Sequence, residues 1–403
     1  MKAALAGVFL AIATIVLMLA AGEVVLRLAG YRPPTLIDPS VRGTYRFAPG
    51  AAFDYVGYHP GSPEEFRVPA RLNSSGFNDR DYPAERPHPG TSRVLVLGDS
   101  YVAAMEVRQR EAFHKLLEER LNTEDPLGSG SYEVIALGRG NLAQRQQLEW
   151  LREYGPIYRP DVVLLVFFCG NDIMENSPAL FGRAGLYGRF MLQVAARKVA
   201  LYNRLFAVRS SRLNGLLAYR AAVLYATHLY LFDRQVTRAQ LESPDAEVYQ
   251  TPPPPEWLDA WSTTAGLLWR IKSEAEGQGA SFALSVLSGP QVMSEVTQER
   301  LERGRTGIDL LQPERWVMEW SAENRVAALS LGSALRAAGV EKVFWRYDAH
   351  LTPLGNRVVA DALYPFLLRV LRERPVRLGR PEPPMSPSLR RQPPATPTAA
   401  AHR

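Results

Sequence analysis

Cysteine is nearly absent from this 403-residue chain, which has only Cys169. A single cysteine excludes a disulfide within the chain, so a folded domain must depend on its apolar core for stability. Histidine is also scarce, with six residues, and no His/Cys cluster has the spacing of a zinc site. We therefore expect a protein that needs no metal and no cofactor.

Positive charge is concentrated at one end, although the formal net charge of the chain is +6. Residues 374–403 have six arginines and one glutamate, a net charge of +5, together with eight prolines and no sustained apolar period. This composition predicts a disordered tail. A solvated tail is the simpler interpretation, and a site for anionic polymers or lipid head groups is the alternative. Nothing in the sequence argues for binding to nucleic acid.

Charge is missing from one long segment near the N-terminus. Residues 3–22 have no charged side chain, and about 20 apolar residues are enough to cross a bilayer as a helix. Lys2 before the segment and Glu23 after it fit an N-terminus inside, and the length of the segment favours an uncleaved anchor, because the apolar region of a signal peptide is usually about 7–15 residues. A cleaved signal peptide is the alternative, because residues 20–22, Ala-Ala-Gly, are small enough for a peptidase. Either interpretation places the rest of the chain in the periplasm or outside the cell.

Strands and helices alternate from residue 93 onward. The sequence predicts strands over 93–97, 132–137 and 161–168, with helices near 103–122 and over 142–153 between them. The strand over 161–168 is apolar on both faces, which is typical of a strand inside a parallel sheet covered by helices. Three β-α units in succession predict a doubly wound α/β fold.

The alternation is interrupted and then resumes. Residues 178–256 have the pattern of basic, aromatic helices and contain four consecutive prolines near their end, so we interpret them as a helical insertion beside the sheet. These helices could lie on a membrane surface, cover a substrate cleft or simply pack against the domain. After the insertion the sequence predicts a helix over 257–276, strands over 281–287, 326–331 and 343–347, and a closing helix over 354–372.

The predicted domain organisation has four parts. Residues 1–30 form the transmembrane anchor, residues 31–90 an irregular lead-in, and residues 91–373 the α/β domain that contains the insertion. Residues 374–403 form the Pro- and Arg-rich tail. No internal repeat is visible in the sequence, so a repeat architecture is excluded.

A serine follows the first strand of the alternating pattern, in the tight turn Gly98-Asp99-Ser100. In open α/β sheets, ligands bind beyond the carboxyl ends of strands, where helix N-termini supply amide N–H groups and a partial positive charge. Ser100 is therefore a candidate nucleophile. The alternative is that Ser100 only caps the helix that follows, which is a common role of serine.

A nucleophilic serine needs a base, and His350 is the candidate. Of the other five histidines, three lie in Pro- and Gly-rich segments or the tail, and two lie within predicted helices. His350 follows a predicted strand and precedes a helix whose start is indicated by Thr352 and Pro353. Asp348, two residues earlier, is near enough to orient the imidazole through Nδ1 while Nε2 faces the serine.

Donors for an oxyanion are expected at the same edge of the sheet. Attack of a serine on an ester places negative charge on the carbonyl oxygen, and positioned donors must stabilise that charge. Asn171 follows the third strand of the pattern and supplies a side-chain amide. Gly138 and Gly140 follow the second strand and can supply a backbone N–H. Each of these residues could instead belong to an ordinary turn, but together they form a set at successive strand ends.

Together these residues resemble the ordered Ser, Gly, Asn and His blocks of the GDSL or SGNH hydrolases. The resemblance covers residues 70–370 outside the insertion, through "LGDSYVAAMEV", "GND" and "DAHLTPLG". It implies a flavodoxin-like three-layer α/β/α fold with a central parallel sheet. It also implies Ser100 as nucleophile, His350 as base and Asp348 as orienting acid. The oxyanion hole would consist of the backbone amides of Ser100 and a glycine, together with the Asn171 side chain.

The sequence departs from the family pattern in two blocks. Family members often space the last block Asp-x-x-His, whereas this chain has Asp-x-His. The second block offers either Gly138 or Gly140, and we favour Gly140 because it directly precedes Asn141 and the predicted helix.

The residues and the resemblance together predict an exported, membrane-anchored serine esterase. Its substrate would be an ester-bearing small molecule, lipid or polysaccharide, with water releasing the acyl group from the serine. The first alternative is an O-acyltransferase that modifies a surface polysaccharide, because the same residues serve when a sugar hydroxyl replaces water. The second alternative is a catalytically inactive scaffold in envelope assembly.

Overall fold

A five-stranded parallel sheet forms the centre of the computed structural model, which describes residues 2–28, 49–57, 65–140, 142–183, 244–293, 307–346 and 348–373. A separate antiparallel hairpin precedes the sheet. The strands are β1 (Ala52–Gly57), β2 (Phe66–Arg71), β3 (Ser92–Gly98), β4 (Tyr132–Gly138), β5 (Val162–Phe168), β6 (Ser281–Leu287) and β7 (Ala327–Ser330). The sheet order β4-β3-β5-β6-β7 is the flavodoxin-like order, so the predicted central parallel sheet is confirmed.

Helices cover both faces of this sheet and make three layers. Successive strand residues point to opposite faces: in β5, Val163 and Leu165 belong to one apolar core, whereas Val162 and Leu164 belong to the other. The helices are α1 (Lys2–Leu28), α2 (Ser100–Ala103), α3 (Phe113–Glu124), α4 (Gln144–Tyr158), α5 (Asp172–Asn176), α6 (Pro178–Arg183), α7 (Pro255–Gly277), α8 (Pro290–Met293), α9 (Gln312–Glu323), α10 (Gly332–Ala338), α11 (Val340–Val343) and α12 (Pro353–Glu373). Helices α4, α7 and α9 pack on the first core, and α3, α10 and α12 on the second.

The helix predicted near 103–122 is divided. Helix α2 ends because Ala104 takes a left-handed backbone conformation, with φ of 46°. A short 3₁₀ turn, Gln109–Glu111, follows, and α3 begins only at Phe113. The break leaves residues 104–108 as a loop beside the end of β3, a position that matters for the site below.

The strand predicted over 343–347 is wrong. Val343 ends helix α11, and Phe344 makes only an isolated bridge with Leu351. Val343 and Phe344 are both buried in the core beneath α12, which explains the apolar run without a strand. A short buried run has the same apolar pattern in either structure.

The described part of the lead-in docks on the domain through a buried ion pair. Arg93, at the start of β3, is fully buried and its Nε donates to Glu133 of β4 at 2.5 Å. The same guanidinium donates to three consecutive backbone carbonyls of the lead-in, those of Pro83, Ala84 and Glu85. A buried charge needs such partners, so this cluster fixes the lead-in against the sheet.

Most of the predicted insertion and all of the predicted tail lie outside the described residues. These are residues 184–243 and 374–403, whereas α6 and a 3₁₀ turn over Pro244–Tyr249 are described at the ends of the insertion. At the N-terminus, residues 2–28 are helical. Counted over the described residues alone, no helix has both the length and the apolar character of a membrane span.

Candidate active site

Ser100 is the first residue of α2, directly beyond the carboxyl end of β3. Asp99 is the N-cap, because its carboxylate accepts the Tyr101 backbone N–H at 2.9 Å. The alternative interpretation of Ser100 as the cap is therefore wrong, and its hydroxyl is used elsewhere. Ser100 Oγ lies 2.7 Å from Nε2 of His350, which is 250 residues away in the sequence.

His350 also contacts the predicted orienting acid. Its Nδ1 lies 2.6 Å from Oδ1 of Asp348. The single residue between them, Ala349, has a left-handed backbone with φ of 67°, and this bend lets the two flanking side chains approach each other. The loop is closed by two backbone hydrogen bonds with Trp345, one in each direction. The Asp-x-His spacing thus permits the contact in this fold.

Tyr101 contacts the loop that carries Asp348 and His350, called the histidine loop below. Nothing in the sequence indicated this role for Tyr101. Its hydroxyl donates to the Ala349 carbonyl at 2.9 Å, and its ring centroid lies 4.9 Å from that of His350. On its other side the ring packs against Phe168, the last residue of β5, at 4.6 Å. Tyr101 follows the candidate nucleophile directly, but no spacing rule connects it to residue 349. Only the three-dimensional arrangement reveals this role.

The two glycines of the second block occupy different surroundings. A Cβ on Gly138 would lie 2.3 Å from the Ala103 backbone nitrogen, so Gly138 lets α2 pack closely on β4. A Cβ on Gly140 would lie 3.4 Å from the Cβ of Ser100, which places Gly140 beside the candidate nucleophile. The role of Gly140 as an oxyanion donor stays a prediction. For Gly138, close packing of α2 on β4 explains the absence of a side chain.

Asn171 lies three residues beyond β5, which is next to β3 in the sheet, and it occupies the N-cap position of α5 without a side-chain capping hydrogen bond. Its Nδ2 donates to Oε1 of Glu175, one turn later, at 2.7 Å. An amide nitrogen carries two hydrogens, so a hydrogen bond to Glu175 orients the side chain and a second N–H can serve an oxyanion.

A buried aspartate supports the loop that carries Asn171. Asp172 is fully buried, and its Oδ2 accepts the Phe168 N–H at 3.0 Å and the Gln144 amide at 2.6 Å. Burial raises the pKa of the Asp172 carboxyl well above its usual range, and the nearby Asp99 and Glu175 act in the same direction. Sequence reasoning treated "GND" as a source of Asn171 alone and did not identify this support.

A second carboxylate approaches the histidine from the loop after α2. Glu106 is 3% exposed, and its Oε1 lies 3.6 Å from His350 Nδ1. Burial raises the pKa of the Glu106 carboxyl, an effect that the nearby imidazole opposes. Burial lowers the pKa of His350, but the carboxylates of Glu106, Asp348 and Asp99 outweigh this effect, so the pKa of His350 is raised.

The same side chains are the set that could hold a metal ion within the described part of the chain. The ligand atoms of Glu106, Asp348 and His350 all lie within 4.8 Å of one another. However, the imidazole nitrogens of His350 already contact Asp348 and Ser100 at hydrogen-bond distance. A metal ion here would have to displace one of those contacts.

Comparison with known proteins gave matches only among solved structures; no family model and no curated protein matches the chain. An acetyl xylan esterase, AlAXEase, is 14% identical and has a TM-score of 0.38, with 68% of this chain and 98% of that chain covered. TesA is also 14% identical, with a TM-score of 0.37 and coverage of 69% and 99%. A protein of Desulfitobacterium hafniense named as lipolytic and of the G-D-S-L family is 11% identical, with a TM-score of 0.35 and coverage of 68% and 99%.

Proposed function

We propose that this chain is a serine ester hydrolase of the SGNH type, with Ser100 as its nucleophile. One observation carries the proposal: Ser100, His350 and Asp348 form a continuous chain of contacts, with distances of 2.7 Å and 2.6 Å on the two sides of the imidazole. This is the arrangement in which a serine hydroxyl is activated by a neighbouring base that a carboxylate holds in place.

The proposed reaction proceeds in two steps. Nε2 of His350 takes the Ser100 proton as Oγ attacks the ester carbonyl, and Asp348 stabilises the imidazolium that forms. The imidazolium then gives that proton to the departing alcohol, which leaves an acyl group on Ser100. In the second step His350 takes a proton from water, the resulting hydroxide attacks the acyl group, and Ser100 recovers its proton as the free acid departs.

The acceptor in the second step separates the proposed hydrolase from an O-acyltransferase. The purified full-length chain should be incubated with a short activated ester, such as p-nitrophenyl acetate, with and without an oligosaccharide. The proposal expects free acetate in step with nitrophenol in both cases. Acetylated oligosaccharide formed at the expense of free acetate would favour the transferase.

The Asn171 amide is expected to stabilise the oxyanion in this mechanism, and its contribution can be measured through kcat. Replacing Asn171 with alanine removes one oxyanion donor, so kcat should fall by about 10²–10³-fold, with little change in KM. Steady-state kinetics on p-nitrophenyl acetate tests this. Asn122→Ala is the matched control, because its side chain bonds to Glu118 and Tyr132 on α3 and β4, outside the site. An unchanged kcat in Asn171→Ala would remove this residue from the oxyanion hole.

We also propose that residues 2–28 anchor the enzyme in a membrane, with the catalytic domain exported. The support is the sequence, in which residues 3–22 have no charged side chain, and the exposure of large apolar side chains there, among them Phe9, Leu10, Leu17 and Met18. We expect the full-length chain to sediment with membranes and to resist extraction by high salt, because salt screens electrostatic attraction but does not weaken hydrophobic burial. Replacement of Leu10 and Leu17 with aspartate should release it. Recovery of the unmodified chain in the supernatant would contradict the proposal.

A further inference from the structure

Two carboxylates from different parts of the chain reach the same nitrogen of His350. Asp348 belongs to the histidine loop, and Glu106 belongs to the loop between α2 and the 3₁₀ turn. Their distances to Nδ1 are 2.6 Å and 3.6 Å. A catalytic histidine needs one orienting acid, and Asp348 already contacts Nδ1 in that role. The presence of Glu106 beside the same nitrogen therefore needs a separate explanation.

Glu106 is buried beside the lead-in. Its side chain is 4% exposed, and its carboxylate acts together with burial to raise the pKa of the Tyr55 hydroxyl on β1. The same hairpin reaches the histidine loop at two further points. The Glu65 carboxylate accepts the Asp348 backbone N–H at 2.8 Å, and the Phe66 ring lies 5.2 Å from that of Trp345. The hairpin β1–β2 and the residue before β2 therefore pack against the loop that carries Asp348 and His350.

Burial of Glu106 would be costly without a partner. Removing a carboxylate from water disfavours its charged form unless a cation or hydrogen-bond donors compensate. The imidazole of His350 and the backbone N–H of Glu106 itself favour its charged form here. The other charged groups that act on Glu106 are the carboxylates of Asp348 and Asp99, and both repel it.

We propose that Glu106 is a second positioning carboxylate for His350, which adds negative charge beside the imidazolium while Asp348 accepts the Nδ1–H hydrogen bond. This inference rests on the proposed serine hydrolase function. The observation behind it is geometric: a nearly fully buried carboxylate lies 3.6 Å from the nitrogen that the orienting acid also contacts.

The charge of Glu106 should affect how kcat/KM depends on pH. Only a neutral His350 can accept the serine proton, so kcat/KM rises as His350 loses its proton. The groups that face the imidazole are the carboxylates of Glu106, Asp348 and Asp99, the Ser100 hydroxyl and the Tyr101 ring. Because a nearby negative charge favours the imidazolium, removal of the Glu106 charge should lower the pKa of His350.

The test is the pH profile of kcat/KM for the full-length chain with p-nitrophenyl acetate. The rising limb is the part of this profile in which kcat/KM increases with pH. In Glu106→Gln it should move to lower pH by about one unit. Glu106→Asp keeps the charge but withdraws it by one methylene group, so its limb should move in the same direction by less. Glu149→Gln is the control for loss of one negative charge, because Glu149 lies on the exposed side of α4 and pairs with Arg152. Its limb should match that of the wild type.

A second readout is the energetic coupling between the two carboxylates. In the Asp348→Ala background, Glu106 is the remaining carboxylate near Nδ1, so adding Glu106→Gln should lower kcat about tenfold more than it does in the wild type. A merely structural role of Glu106 would change stability or overall activity without moving the limb. An unmoved limb in either variant that keeps the wild-type circular dichroism spectrum would overturn the inference. A wild-type chain without esterase activity would instead overturn the proposed function, so the two failures are distinguishable.

Discussion

Replacing Ser100 with alanine should lower kcat/KM for p-nitrophenyl acetate by at least about 10³-fold, the largest effect expected of any single substitution in this chain. Ser100 Oγ is the atom that His350 Nε2 contacts at 2.7 Å, and no acyl-enzyme can form without it. Residual activity is expected, because the oxyanion donors and substrate binding still act when the nucleophile is missing.

The matched control for this prediction is Ser74→Ala. Ser74 is an exposed serine whose Oγ lies 2.6 Å from a carboxylate oxygen of Asp81, so its hydroxyl has an acidic neighbour but not this histidine. Wild-type kinetics are expected from this variant. If Ser100→Ala kept more than about a tenth of the activity while remaining folded, hydrolysis would proceed by another route.

Replacing His350 with glutamine should also lower kcat by at least about 10³-fold, with a smaller effect on KM. Glutamine has a similar length and polarity, but it cannot accept the serine proton and return it to the leaving alcohol. His350 contacts both Ser100 and Asp348, so its loss interrupts the chain of contacts at its centre.

His88→Gln provides the comparison for the histidine. His88 lies in the exposed part of the lead-in before β3, and its replacement should leave kcat unchanged. Added imidazole should partly restore activity to His350→Ala, where truncation leaves space for a small base. Equal kinetics in His350→Gln and the wild type would exclude the proposed base.

The sheet and the pairing of Ser100 with His350 could be predicted from the sequence, for a physical reason. Parallel strands place their carboxyl ends at one edge of the sheet, so Ser100 and Gly140, which follow β3 and β4, lie side by side. His350 was selected for its chemistry and its loop position, and it reaches Ser100 although helices α10 and α11, rather than a strand, precede its loop. The pattern of apolar residues located these ends well for β3, β4 and β5. The same logic failed at Val343, where a short buried run belonged to a helix.

The supporting residues could not be predicted in this way. Glu106 and Tyr101 act on His350 and Ala349 through contacts between distant segments, and neither has a spacing that identifies it. The left-handed conformation of Ala349 is equally hidden, because alanine carries no signal for positive φ. Motif spacing located the reacting groups, whereas the groups that orient them depend on tertiary packing.

The most direct test of the central claim is the site of modification by a fluorophosphonate, which reacts with activated serines. The full-length chain should be treated with the reagent, and the intact mass and the peptides then measured by mass spectrometry. We predict one phosphonyl group per chain, attached to Ser100, and its loss in His350→Gln. Modification of a different residue, or no modification of a chain that hydrolyses p-nitrophenyl acetate, would contradict the assignment of Ser100 as the nucleophile.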